Sequence, residues 1–178
     1  MYLNKQEIQA FCDLGYMKDY DESCINTASL DVRLGDTIMI EKTIGTHMVD
    51  YKLRDKLQMH EIEIPKEGVF INPGAFFLAH TIEKCDFPDD VAALFRIKSS
   101  MGRIGLEHLD AGWVDPGFNG SLTLEFKNMT QNHVIRLQKG DRIGQLVFLR
   151  GKAVSENDSY RTVGNYNGFN GISQAGYK

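Results

Sequence analysis

Beyond its first fifteen or so residues the chain settles into a period of two. SLDVRLG, TIMIEK, HEIEIP, GVFINPGAFFLAHTIE and VAALFRI alternate apolar and polar positions or run apolar, with Gly, Pro and Asp between them. SLTLEFKN, HVIRLQ and RIGQLVFL continue the pattern to about residue 150. That period puts one side-chain set on each face of a strand, and short strands with regular turn signals build sandwiches, barrels or jelly rolls. The start differs. In NKQEIQAFCDLGY, Ile8, Phe11 and Leu14 recur at helical spacing behind Asn4, a residue suited to capping a helix. One short helix followed by β structure is predicted. No internal repeat or linker appears, so residues 1–178 are read as a single domain.

Two segments break the strand pattern. SSMGRIGL is small and polar and predicts a turn of helix with exposed amides. The end, SENDSYRTVGNYNGFNGISQAGYK, is rich in Gly and Asn and has too few aliphatic residues to build core. It is either disordered or a flap over about 155–178 that orders over a ligand, and composition by itself favours disorder.

Charge and cysteine usage narrow the partners. A formal net charge of -4 and a pI near 5.7 argue against a general grip on nucleic-acid phosphates. No apolar run reaches the roughly 18 residues that span a bilayer, and MYLNKQEIQAF lacks the hydrophobic region of a signal peptide. No membrane contact and a cytoplasmic location are expected. Cys12, Cys24 and Cys85 are scattered, so free buried thiols are expected rather than a disulfide framework or a metal knuckle. His47, His60, His80, His108 and His133 show no ligand spacing, and neither the H-x-E…P-C-x-x-C signature of zinc deaminases nor a P-loop is present. Hydrolysis on this chain would work without zinc, through a carboxylate acting as general base on water.

Two stretches hold the relevant chemistry. DAGWVDPGFNGSLTLEF (110–126) reads as a hairpin with Asp115 before its Pro-Gly turn and Glu125 on its second strand. Alternation sends Leu122, Leu124 and Phe126 to the core, and Ser121, Thr123 and Glu125 to water or a polar cavity. Asp also favours turn starts, and a Glu on a strand's polar face is ordinarily solvated, so neither acid identifies a site alone. Arg96, Lys98, Ser99, Ser100 and Arg103 combine cations, hydroxyls and a Gly-containing turn. They suit either a phosphate cradle or a solvated strand end.

KSSMGRIGL followed by AGWVDPGFNGSLTLEF, with ASLDVRLG upstream and GDRIGQLVF and GNYNGFNGIS downstream, resembles the dCTP deaminase branch of the dCTP deaminase/dUTPase superfamily. The resemblance implies a distorted jelly-roll or β-barrel of the dUTPase-like type, with a short N-terminal helix and a C-terminal flap. It also implies a homotrimer with sites between subunits, dCTP and dUTP as ligands, and Mg2+ carried by the substrate triphosphate. Glu125 matches the acid that shuttles protons at cytosine C4. Asp115 matches a position under the deoxyribose, and Ser99 and Arg103 match residues that orient water. Lys98, Ser100, Met101 and Gly102 fall in the triphosphate loop. Ala111, Thr123 and Leu124 match the backbone that reads the base, and Phe118 the ring that packs on the sugar. Gln145 and Tyr160 match phosphate contacts, while Asn165 and Phe169 fall in the flap. Gly112-Trp113, in place of a His-Arg pair, resembles members that continue to dUMP and diphosphate. Release of dUTP, a plain dUTP diphosphatase and a catalytically silent nucleotide sensor or assembly protein are the competing readings. Glu125 weighs against the diphosphatase, whose relatives carry an apolar residue there.

Overall fold

In the computed structural model, which describes residues 1–43 and 45–175, the chain begins with α1 (Lys5–Asp13). The Asn4 side chain accepts from the Glu7 N–H, and Glu7 Oε2 accepts from the Asn4 N–H. This reciprocal cap satisfies two donors that the helix leaves free. Ile8, Phe11 and Cys12 form its buried face, and the Phe11 ring lies 5.7 Å from Phe87 and 5.1 Å from Phe148.

The rest is mostly strand: β1 (Met17–Lys18), β2 (Leu30–Glu41), β3 (Met59–Glu63), β4 (Val69–Ile71), β5 (Phe76–Asp86), β6 (Val91–Ile97), β7 (Leu106–His108), β8 (Trp113–Val114), β9 (Asn119–Asn128), β10 (Ile135–Leu137) and β11 (Arg142–Arg150). A short helix, α2 (Ser99–Arg103), follows β6, and another, α3 (Tyr160–Val163), starts the tail. One nine-stranded sheet runs β7-β9-β5-β2-β11-β6-β8, with β1 added on β5 and β3 on β2, while β10 and β4 pair separately. The sheet curls into a half-barrel around Leu30, Val32, Leu34, Ile38, Phe77, Phe95, Phe126 and Phe148, all at most 1 % exposed. All three cysteines are free and buried. Among the described residues, no helix is long and apolar enough to cross a membrane.

The jelly-roll class and the short helix match the sequence reading; the expected hairpin does not. β8 pairs with β6, whereas β9 pairs with β5 and β7. The Asp115–Phe118 turn, closed by Phe118 N–H to Asp115 O at 3.2 Å, therefore crosses between separate parts of the curled sheet. Local alternation marks strands, but it cannot say which edges meet. The GVFINPGAFF run is likewise broken at a turn, with the Ala75 N–H bonded to Asn72 O, because Pro73 has no N–H for a ladder.

Candidate functional site

The curl leaves a cavity of about 610 Å3 lined on one side by β9. Alternation holds on β9 from Leu122 onward: Leu122, Leu124 and Phe126 are buried, while Thr123 and Glu125 are half-buried. Ser121, expected on the polar face with them, is instead buried under the tail, its Oγ accepting the Gly171 N–H at 2.8 Å. Eight of the residues expected at the site line this space: Ala111, Asp115, Phe118, Thr123, Leu124, Glu125, Tyr160 and Phe169. Burial raises the Glu125 carboxyl above the usual carboxylate range, and a hydrogen bond from its own backbone offsets this only in part. Asp115 accepts from Trp113 Nε1 at 2.8 Å. The Phe118 and Tyr160 rings lie 5.7 Å apart, and the Tyr160 hydroxyl accepts from the Tyr166 N–H. Burial also raises the Tyr160 phenol. Tyr160 thus sits beside Phe118 and takes part in holding the tail.

The tail runs along β9. Asn119 N–H donates to Asn167 Oδ1 at 2.7 Å, Ser121 N–H to Phe169 O at 3.1 Å and Ser173 N–H to Thr123 Oγ1 at 3.0 Å. β7 covers the same edge of β9 only as far as the Leu109 N–H bond to Glu125 O at 3.0 Å. Between the two, Leu122–Leu124 has no strand partner on that edge among the described residues. The last three residues of the expected flap, 176–178, lie outside the described residues.

Gly120 permits this docking. Its φ is +125°, and a Cβ there would stand 2.2 Å from Phe169 O. Gly120→Ala is therefore expected to release the tail, raising its rate of limited chymotryptic cleavage about tenfold, in line with the strain of a side chain in that conformation. Unchanged cleavage would show that the tail holds without the Gly120 contact.

The remaining expected residues do not line this cavity. Ser99, Ser100, Gly102 and Arg103 are exposed on α2, and Met101 turns its side chain against the core. Asn165 is exposed in the tail. Lys98 Nζ donates to the buried Asp31 at 2.5 Å, with Asn26 Nδ2 donating to the same carboxylate at 2.8 Å. Gln145 accepts from Ser29 Oγ at 3.2 Å and stands opposite Asp31 in the β11–β2 pairing. Arg96 pairs with Asp110, which occupies a left-handed backbone position at φ 60°. The chain thus carries the β9-lined cavity and, apart from it, a cationic cluster.

Several cavity residues carried no sequence signal. Val49, Tyr51, Arg54 and Leu57 reach it from the β2–β3 connection, whose HMVDYKLRDK has neither strand nor helix period. Leu78 and Phe95 come from strands read only as core. Gly112 lies so close to β6 that a Cβ would stand 2.5 Å from Phe95 O, and its own carbonyl accepts the Phe95 N–H at 2.7 Å. No group of three His, Cys, Asp or Glu side chains suited to a metal occurs among the described residues.

The family model described as dCTP deaminase-like matches residues 2–151. The chain belongs to the dCTP deaminase-like family. Among relatives in this family, "dCTP deaminase, dUMP-forming" of Mycobacterium sp. (strain KMS) is 40% identical over 155 residues, 84% of this chain and 80% of the relative. The protein of the same name from Rhodococcus opacus (strain B4) is 37% identical over 161 residues, 88% of this chain and 85% of the relative. The crystal structure of 2'-deoxycytidine 5'-triphosphate deaminase from Agrobacterium tumefaciens superposes with a TM-score of 0.69 at 25% identity, over 88% of this chain. This family member spans only 50% of the length of that structure's chain.

Proposed function

We propose that this chain deaminates dCTP at cytosine C4 and then cleaves the triphosphate, so that dCTP and two waters give dUMP, diphosphate and ammonia. The observation that carries the reading is Glu125, a half-buried carboxyl with a raised pKa in the wall of a nucleotide-sized cavity. It stands in a chain whose relatives bear the name dCTP deaminase, dUMP-forming. A carboxyl whose pKa lies nearer neutrality both takes and returns protons readily. Glu125 takes a proton from the water that attacks C4, hands it to N3, and then moves the hydroxyl proton to the departing amine.

The neighbouring residues suit a deoxynucleotide. The uncovered edge at Leu122–Leu124 offers peptide groups for the base, together with the Ala111 carbonyl. Phe118 and Tyr160 form the wall assigned to the sugar, with Asp115 beneath it. Phe169 and Asn165 belong to the tail that covers the nucleotide. Mg2+ is carried by the triphosphate, which neutralises phosphate charge and needs few protein ligands.

Ser99, Arg103, Lys98, Ser100, Gly102 and Gln145 complete the site from a neighbouring copy in a homotrimer. Two observations support this: they do not line their own chain's cavity, and Ile104, Leu109 and Met129 beside α2 are about half exposed. Product analysis with dCTP and Mg2+ is expected to yield dUMP, diphosphate and ammonia; none of these across a pH series would refute the reading. Mixing inactive Glu125→Gln and Arg103→Ala chains after subunit exchange is expected to restore about a quarter of the activity, since random assembly rebuilds that share of shared sites. No recovery would place both residues on one protomer.

A further inference from the structure

The wall behind Glu125 holds a histidine that the proposed chemistry leaves unused. His108 ends β7, opposite Phe126 of β9, and is 5 % exposed. Its ring centroid lies 4.6 Å from that of Phe95 and 5.6 Å from that of Phe126. His108 Nε2 is 3.6 Å from Glu125 Oε2. Among the described residues, both atoms are buried without a hydrogen-bond partner. An unpaired buried polar atom is costly, and here two of complementary chemistry face each other. A side-chain shift of about half an ångström closes them to a hydrogen bond.

We propose that His108 is a positioning residue for deamination: its Nε2 accepts a hydrogen bond from the protonated Glu125 carboxyl and holds that oxygen against the wall. The inference rests on the deaminase reading and adds a residue to it. When water attacks C4, its O–H bond breaks, its oxygen bonds to carbon, and the proton passes to Glu125. The imidazole then stabilises the newly formed acid without taking the proton itself, and the acid returns that proton to N3. Burial holds His108 down to about 4, with Asp110 acting to raise it and Arg96 to lower it. A neutral ring with its proton on Nδ1 is an acceptor at Nε2. The other charged groups lining the cavity are Asp115, Arg54, Asp55 and Lys56. A hydrogen bond to the protonated form raises a carboxyl pKa, in the same direction as burial.

The test uses the full chain with His108→Leu and His108→Gln; the glutamine keeps a polar acceptor near the position of Nε2. Ammonia release from dCTP and Mg2+ is followed across a pH series, with melting curves to confirm folding. His108→Leu is expected to lower kcat about tenfold, leave KM within about threefold, and move the acid limb of kcat down by about one unit, the equivalent of one net hydrogen bond. His108→Gln is expected to recover most of both. A wild-type acid limb and kcat in His108→Leu would overturn the inference, as would equal losses in the two variants. Carbon-13 NMR titration of the Glu125 carboxyl separates this from the deaminase reading, because it needs no turnover. The carboxyl should titrate about one unit lower in His108→Leu, and an unchanged titration overturns the inference. Absence of product from the wild-type chain overturns the function instead.

Discussion

Glu125→Gln is expected to lower deamination of dCTP by about 10³-fold or more, within the range for a general acid–base group, while nucleotide binding persists. The substitution keeps the size and polarity of the side chain and removes only its capacity to exchange a proton. A second readout distinguishes lost chemistry from lost structure. Burial raises the Glu125 carboxyl above its unfolded value. The folded state therefore holds that proton more tightly, and the associated stability, full at acid pH, is lost as pH rises through the folded pKa. Glutamine has no charge to bury. Glu125→Gln should thus melt above the wild type at neutral and alkaline pH, with the difference shrinking toward acid. The chain's single tryptophan, Trp113, lines the cavity and reports binding by fluorescence. An active variant removes Glu125 from the mechanism; an inactive one that melts low at every pH would show that the carboxyl supports the fold.

The largest loss of stability is expected from Glu83→Ala, about 3–5 kcal/mol by denaturant unfolding, the cost of breaking a buried pair by removing one partner. Glu83 is 1 % exposed on the inner face of β5. The Arg33 N–H donates to its Oε2 at 2.8 Å, and Arg33 Nε to its Oε1 at 2.6 Å. Arg33 Nη2 continues to Asp19 O at 2.5 Å, so one guanidinium ties β2 and β5 to the turn after β1. Truncating Glu83 leaves a poorly solvated guanidinium and an unpaired Arg33 amide. A loss below about 1 kcal/mol, the scale of an exposed pair, would show that Asp21, 3.7 Å from Arg33 Nη1, and the solvent at the partly exposed Arg33 side chain compensate its charge without Glu83. The residue also bears on the site. Thr81 Oγ1 donates to Glu83 O at 2.7 Å and accepts the Leu122 N–H at 3.1 Å, anchoring the stretch of β9 just before Glu125.

Strand identity, the capped first helix and the inward set on β9 were all legible in the amino-acid order, because alternation and capping depend on neighbours a few residues apart. So was the family, since the KSSMGR and AGWVDPGF stretches are contiguous. Alternation alone left Glu125 an ordinary polar-face acid; the family resemblance singled it out, and its surroundings were set only when the sheet curled around it. Burial, and with it the raised carboxyl, depends on Phe95, Leu78 and the β2–β3 connection arriving from remote positions. The mispredicted hairpin has the same origin: β8 and β9 are near in sequence, but long-range pairing sends them to different partners. His108 and Glu83 were invisible for a related reason, because each acquires its partner only when separate strands meet in register. Local chemistry determined the elements and the available groups, while their charge states and contacts were decided by distant segments excluding water together.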